Sequence, residues 1–464
     1  MSIRGFVTDI IERRPGQKFS FVLAFASIAL YVQIAFFTAR TNTALLLSSY
    51  TILFIIYLLL TKSILSFRFL MGFGILFRLI LVFSIPHLSD DFYRFFWDGI
   101  LIKNQINPFL YLPREIIENP TIIIRTLDSD LFESLNSPDY YTVYPPVCQL
   151  IFWISATLSN GHIRIAVIMM KLFMLLAEFG SIYFILKLLK IHHFRREYIY
   201  FYVFNPLIII ELVGNIHFEA FMIFFVLWAV YMIQKNKFAL SSIAFALAIA
   251  SKLTPILLLP FFLKRLKLKK ALVYYTLALG IAAATFLPFI GSALVNGLSS
   301  SIGLYFLKFE FNASIFYIIR EIGFWVAGWD IIQFASVWLS LSTVLIILFL
   351  TLFENTKKQN IPGIFIWPLF TYFAMASIIH PWYATPLIAF CWFSKYRFPV
   401  VWSFTIFLSY AGYTPGGFHE QLWVLLVEYV LVYGVMIYEL VKYKDLLGFR
   451  NPLPEILSST KGSS

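Results

Sequence analysis

Of 464 residues, 60% are apolar and 13% charged, and the mean hydropathy is +0.82. That balance excludes a soluble domain, because apolar runs of about 20 residues, enough to cross a hydrocarbon core of about 30 Å, recur from Phe19 to Tyr438. The net charge of +12 is no nucleic-acid footprint either, since Lys and Arg cluster in the short breaks between those runs, the pattern that sets membrane orientation.

In chain order, Arg4, Arg13, Arg14 and Lys18 precede a first run at 19–39 that is too long for the core of a signal peptide and lacks a cleavage site. It reads as an uncleaved span with a cytoplasmic N-terminus. Runs at 43–61 and 66–86 follow, turning on Lys62 and Arg68. Segment 87–146 then falls on the non-cytoplasmic side; it is the longest polar stretch, and its aromatic content predicts an ordered, partly helical loop. The run 147–160 is short enough to be a partial or re-entrant helix, and 164–190 is the inward crossing, ending in Lys187, Lys190, Arg195 and Arg196. Runs 197–213 and 217–234 make a hairpin whose outer tip is Gly214 to His217, returning to Lys235 and Lys237.

Run 239–263 is interrupted by Ser251-Lys252-Leu253-Thr254-Pro255, and the Lys264 to Lys270 cluster behind it belongs inside. A broken, re-entrant pair satisfies both, because non-helical backbone at membrane depth is tolerated where it lines a cavity. Crossings at 271–289, 330–353, 361–380, 382–395, 397–412 and 421–440 complete the chain, with Lys357, Lys358, Lys395, Arg397, Lys442 and Lys444 inside. The expectation is one integral membrane domain over 1–464, an all-α polytopic bundle of about 11–13 full crossings plus partial elements. Its outer loops are 87–146, the catalytic one, and 290–329, and a cytoplasmic tail spans 441–464. The two cysteines, Cys148 and Cys391, define no disulfide framework, and no His, Asp or Glu spacing matches a zinc site.

Four polar clusters land on the outer side: Asp90-Asp91, Asn215 to His217, Phe311-Asn312-Ala313-Ser314, and His380-Pro381-Trp382-Tyr383. Adjacent carboxylates repel and are costly to dehydrate, so a cation belongs near them, and Arg94 is spaced to supply it on a helical turn. A carboxylate beside a guanidinium, walled by aromatic rings, suits a general base acting on a sugar hydroxyl; the same pattern also describes a solvated loop start in an interfacial aromatic belt. Lys252 stands inside an apolar run, where an unpaired charge is expensive; it reads as a ligand-binding cation or as a lysine snorkelling to the inner interface. Arg78, Lys171 and Glu178 fit a structural intramembrane ion pair equally well.

The stretch from Ser89 to Gly99 resembles the first-loop motif of the GT-C superfamily of lipid-phosphate-sugar-dependent glycosyltransferases. Tyr144-Pro145-Pro146, Phe204-Asn205-Pro206-Leu207, Gly214-Asn215, Ser251 to Pro255, Phe311 to Ser314 and His380 to Tyr383 are similar, in order, to motifs of its polytopic mannosyltransferases. Those are typified by the catalytic subunit of GPI mannosyltransferase I and by bacterial polyprenyl-phosphate-mannose-dependent enzymes. His217 and Glu219 depart from the pattern, standing where those enzymes carry an Ala-Asp pair. The resemblance implies catalysis by Asp91 or Asp90, with Lys252 and Arg94 on the donor phosphate. It places Tyr93, Trp97, Asp98, Asn107 and Tyr144 of the first loop, with Asn215, His217, Asn312, His380, Trp382 and Tyr383, around the substrates.

The activity expected is inverting transfer of a sugar, mannose by resemblance, from a polyprenyl-phosphate donor to a lipid or glycan acceptor, a glycolipid or polysaccharide. The site faces the periplasm of a bacterial inner membrane, both termini are cytoplasmic, membrane lipids are partners, and no nucleic acid, cofactor or metal is called for. A lipid or sugar transporter or flippase would also use Lys171, Glu178 and Lys252, but would not need an ordered loop led by an acidic pair. An O-antigen polymerase or ligase would carry its working loop late in the chain and rich in basic residues.

Overall fold

The computed structural model describes residues 14–291, 294, 297, 299, 303, 309–354 and 361–443. Arg4, Arg13, Lys357, Lys358 and Lys444, most of 292–308 in the second predicted loop, and the tail from 444 onward lie outside the described residues. Helix dominates because backbone in hydrocarbon must satisfy its own N–H and C=O groups. Among the described residues the one paired sheet is a hairpin joining Tyr413–Thr414 to Gly417–Phe418.

Gln17–Phe37, Thr43–Leu60, Ile163–Ile191, Thr254–Phe289, Ile332–Phe353 and Leu422–Tyr443 are long and apolar enough to cross a membrane, and the bent pair Arg196–Val203 with Ile208–Gly214 adds one more span if counted together. The chain is a polytopic, all-α membrane protein. Other predicted crossings are shorter helices: Phe67–Val82, Glu219–Gln234, Phe238–Ser251, Ile361–Met375 and Phe398–Gly412. Segment 87–146 is partly helical as expected, with helices Asp91–Lys103, Pro113–Glu118 and Ser129–Glu133.

The breaks have local causes. Pro206 cannot continue the helix before it, and Asn205 Oδ1 accepts from the amides of Leu207 and Ile208, starting Ile208–Gly214 afresh as a wide π-type coil at a 63° bend. Lys252 is extended (φ −161°, ψ 140°) and ends Phe238–Ser251; the chain resumes at Thr254–Phe262 as a tight 3-10 helix carrying Pro255 and Pro260. The expected interruption of 239–263 is therefore present.

The bundle has two chemically distinct ends. Ser63 Oγ donates to Ser20 Oγ, placing the Lys62 turn at the start of Gln17–Phe37, and Arg196 covers the ring of Phe67. Arg265 pairs with Glu354, Lys395 covers Tyr443, and the Arg397 amide donates to Glu439. The far end of Gln17–Phe37 leads instead to Arg40 and the acidic pair.

Buried charges on the helices pair differently from the spacing argument. Lys171 does not meet Glu178: its ammonium donates to the carbonyls of Leu81 and Ser84 and to Ser84 Oγ at 2.8–2.9 Å, closing the C-terminal end of Phe67–Val82 four residues short of the predicted 86. Glu178 pairs with Arg78 (Nε to Oε2, 2.9 Å) and accepts from Tyr202, with both charged side chains fully buried. Removing one member leaves an uncompensated charge in an apolar bundle. Glu178→Ala is expected to destabilise the detergent-solubilised protein by about 3–5 kcal/mol, and Tyr202→Phe by about 1 kcal/mol, read as thermal unfolding followed by tryptophan fluorescence.

Candidate active site

Asp90 and Asp91 begin the helix Asp91–Lys103, where unpaired N–H groups and the helix dipole favour negative charge. The helix is held against Pro146–Leu158 at Gly99; a Cβ there would stand 2.3 Å from the Phe152 carbonyl oxygen. Phe95 and Phe152 stack flat beside that crossing, with ring centroids 4.7 Å apart.

Arg94 is not the cation of the acidic pair, contrary to the spacing argument. Asp98, one turn further on and fully buried, needs a partner, and Arg94 Nε donates to it at 2.8 Å. Arg94 Nη1 donates to the carbonyls of Ser137 and Tyr140 at 3.0 and 2.8 Å, and Gln149 donates to the other Asp98 oxygen at 3.1 Å and to Thr142 Oγ1 at 3.1 Å. Both residues thus fasten the stretch 137–144 over the helix. Asp98, expected at the substrate, has each carboxylate oxygen already engaged by protein.

The cation at the acidic pair is Arg40. Its Nη2 lies 2.6 Å from Asp90 Oδ2, and the guanidinium sits over the Tyr413 ring, 4.9 Å from its centroid. Asp91 Oδ1 accepts from Asn136 Nδ2 at 2.7 Å. Sequence reasoning missed both partners. Arg40 did leave a signal, being an arginine at the end of the first span where the orientation pattern calls for no basic residue.

These groups line a cavity of about 500 Å³. Asp90, Asp91, Arg94, Tyr144, His380 and Trp382, all predicted, are on its surface; Glu310, Phe311, Tyr410, Tyr413 and Phe418 join them. Burial pushes the Tyr413 phenol above its ordinary range, with Arg40 opposing the shift. Burial likewise pushes the Glu310 carboxyl up, against the pull of Arg320.

Other predicted residues stand behind that surface. The His217 ring stacks on Trp382 at 3.6 Å, and His217 Nε2 lies 3.3 Å from Glu211. Glu211, a buried carboxylate on the π-type coil, also accepts from Asn215 (3.0 Å) and from Tyr410 (2.9 Å), which brings the Asn215–His217 tip to the cavity's inner wall. Asn312 is consumed by the fold. Its amide donates to Glu420, its Nδ2 to Glu428 at 3.2 Å, and its carbonyl accepts from Tyr429 at 2.5 Å. What this secures is Phe311, whose amide donates to Ser377 and whose carbonyl accepts from Ile379, next to His380. Asn107 ties the first loop to the Phe289 carbonyl at 2.6 Å, Trp97 is fully buried, and Tyr93 packs on Phe92; none of the three is on the cavity surface.

Lys252 opens onto a second recess of about 30 Å³, shared with Glu219, Tyr372, Phe373 and Tyr383. Its ammonium pairs with Glu219 and lies 4.1 Å from the Tyr383 ring centroid. Trp382 and Tyr383 are consecutive, so one turn walls both spaces. Among the described residues no group of three His, Cys, Asp or Glu side chains is placed to hold a metal ion.

The MptA_B family model, described as the N-terminal domain of alpha-(1->6)-mannopyranosyltransferase, matches residues 16–266, more than half of the chain. The chain belongs to this mannosyltransferase family. No curated protein and no solved structure matches it. Family membership makes it a membrane glycosyltransferase, with a sugar donor and a glycan acceptor as its substrates. The matched part supplies Arg40, the acidic pair, Glu211, Glu219 and Lys252, while His380, Trp382 and the Tyr413 hairpin come from beyond it.

Gly99 tests whether helix placement governs the site. Gly99→Ala is expected to cost about 1–3 kcal/mol through overpacking against the Phe152 backbone and to lower transfer activity with it; a melting curve and a rate measured on the same preparation check both.

Proposed function

We propose that the cavity transfers mannose from a polyprenyl-phosphate donor to a hydroxyl of a glycolipid or polysaccharide, on the non-cytoplasmic face of a bacterial inner membrane. The observation that carries this reading is the division of labour within the acidic pair. Asp90 is occupied by its ion pair with Arg40, whereas among the described residues the Asp91 carboxylate has one donor, the neutral amide of Asn136. Asp91 is therefore the general base: it takes the proton of the acceptor hydroxyl as that oxygen attacks the anomeric carbon and the lipid phosphate leaves.

Negative charge gathers on the departing phosphate, and Lys252 across the Trp382–Tyr383 turn is the cation available to it, so its pairing with Glu219 has to yield to the phosphate. The isoprenoid chain lies against apolar helix faces, which is why the enzyme is built in the bilayer. The gathering of basic residues at the end opposite the acidic pair supports the orientation.

Single displacement inverts the anomeric centre, so an α-linked product requires a β-linked donor. In membranes supplied with radiolabelled polyprenyl-phosphate mannose, Asp91→Asn is expected to lose about 10²-fold or more of the transfer rate, and Asp90→Asn less. Lys252→Met raises KM for the donor, and Lys252→Arg restores part of it. Wild-type rates in Asp91→Asn, or equal use of the α- and β-linked donors, would overturn the proposal.

A further inference from the structure

The rings on the cavity wall, with His217 behind them, form one continuous series. His217 lies on Trp382 (3.6 Å, 17°), Trp382 on His380 (4.4 Å, 11°), His380 beside Phe311 (4.6 Å, 36°), and Phe311 on Phe418 (5.0 Å, 28°). The series begins at His217, 3% exposed, and ends at Phe418, 37% exposed, on the hairpin Tyr413–Phe418. Phe418 is thus a solvent-reaching ring on the surface of a cavity that also carries carboxylates, not a member of the lipid-facing aromatic belt. Next to Phe311 on the same surface is Glu310, whose Oε2 accepts from Arg320 while its Oε1, shielded from solvent, has no hydrogen-bond partner among the described residues.

We propose that Phe311, Phe418 and Glu310 form a subsite for a second pyranose ring of the acceptor, one ring behind the ring that carries the attacking hydroxyl. The proposal rests on the reading of the cavity as the transfer site. A pyranose presents an apolar face of C–H groups and a rim of hydroxyls; the first packs on aromatic rings and the second needs hydrogen-bond acceptors. Phe418 and Phe311 supply the rings, and Glu310 supplies a carboxylate whose Oε1 has no partner among the described residues. At about 500 Å³ the cavity falls within the range of sites that enclose ligands larger than a single hexose. The ring is neutral. Asp90, Asp91 and Glu310 are carboxylates on the cavity surface, while Arg40 and Arg94 there are already ion-paired, so a carboxylate or phosphate on the acceptor would meet repulsion with no free counter-charge among the described residues of that surface.

The test compares octyl glycosides of one mannose and of two, with a polyprenyl-phosphate mannose donor and the detergent-purified full-length protein. Wild type is expected to show kcat/KM about tenfold higher for the two-ring acceptor. Phe418→Leu brings that ratio close to one, Phe418→Trp keeps it, and an acceptor whose second ring is a uronic acid loses the advantage in wild type. Equal kcat/KM for the two acceptors in wild type, or an unchanged ratio in Phe418→Leu, overturns the subsite. Asp91→Asn run in parallel separates the two failures: retained transfer there removes the transfer-site reading itself, whereas lost transfer there with an unchanged Phe418→Leu ratio removes only the subsite.

Discussion

Charge inside an apolar bundle has to be answered by a partner at the place where it is buried, and that requirement organises this protein. Arg78 meets Glu178 and Tyr202, Lys171 meets the open carbonyls at the end of Phe67–Val82, and Arg94 meets Asp98 and two loop carbonyls. Glu428 takes the indole N–H of Trp402 and the amide of Asn312, and Glu211 takes Tyr410 and Asn215. Each of these joins segments far apart in sequence, so polar satisfaction is what fixes the loops around the cavity. On the cavity surface, among the described residues, the Asp91 carboxylate has a single neutral donor and Glu310 one oxygen without a partner.

Broken helices convert that scaffold into a site. The π-type coil after Pro206 turns Glu211 and Asn215 toward the wall, the extended residue at 252 releases a lysine between two helical pieces, and the turn Pro381–Ala384 presents Trp382 to one space and Tyr383 to the next. A straight crossing at any of these points would have pointed the same side chains at lipid or at neighbouring helices. Non-helical backbone of this kind at membrane depth is tolerated where it lines a cavity, and here it does.

Much of the architecture could be read in the sequence because hydrocarbon imposes a strict length and polarity code: the long spans, the partly helical first loop and the interruption at Lys252 follow from it directly. Residue types at the site were legible too, since Asp90, Asp91, Tyr144, His380 and Trp382 do share one cavity. Pairing was not legible. Arg94 was spaced equally well for Asp91 and Asp98, and only the burial of Asp98 decides between them. Asn312 has the composition of a sugar-binding residue, yet three long-range hydrogen bonds from the last helix region absorb it. Arg40, two predicted spans away from the acidic pair, reaches it through tertiary packing that no local spacing encodes.

The central claim is that Asp91 faces the reacting sugar while Lys252 meets its phosphate. Electron cryo-microscopy of the protein in lipid nanodiscs with a bound polyprenyl-phosphate sugar addresses it most directly. The account predicts the sugar in the cavity bounded by Asp91, Trp382 and Tyr413, the phosphate drawn to Lys252 with Glu219 displaced from it, and the isoprenoid chain leaving between helices toward lipid. Donor density at the opposite, basic end of the bundle, or a phosphate bound away from Lys252 with the Lys252–Glu219 pair intact, would contradict it.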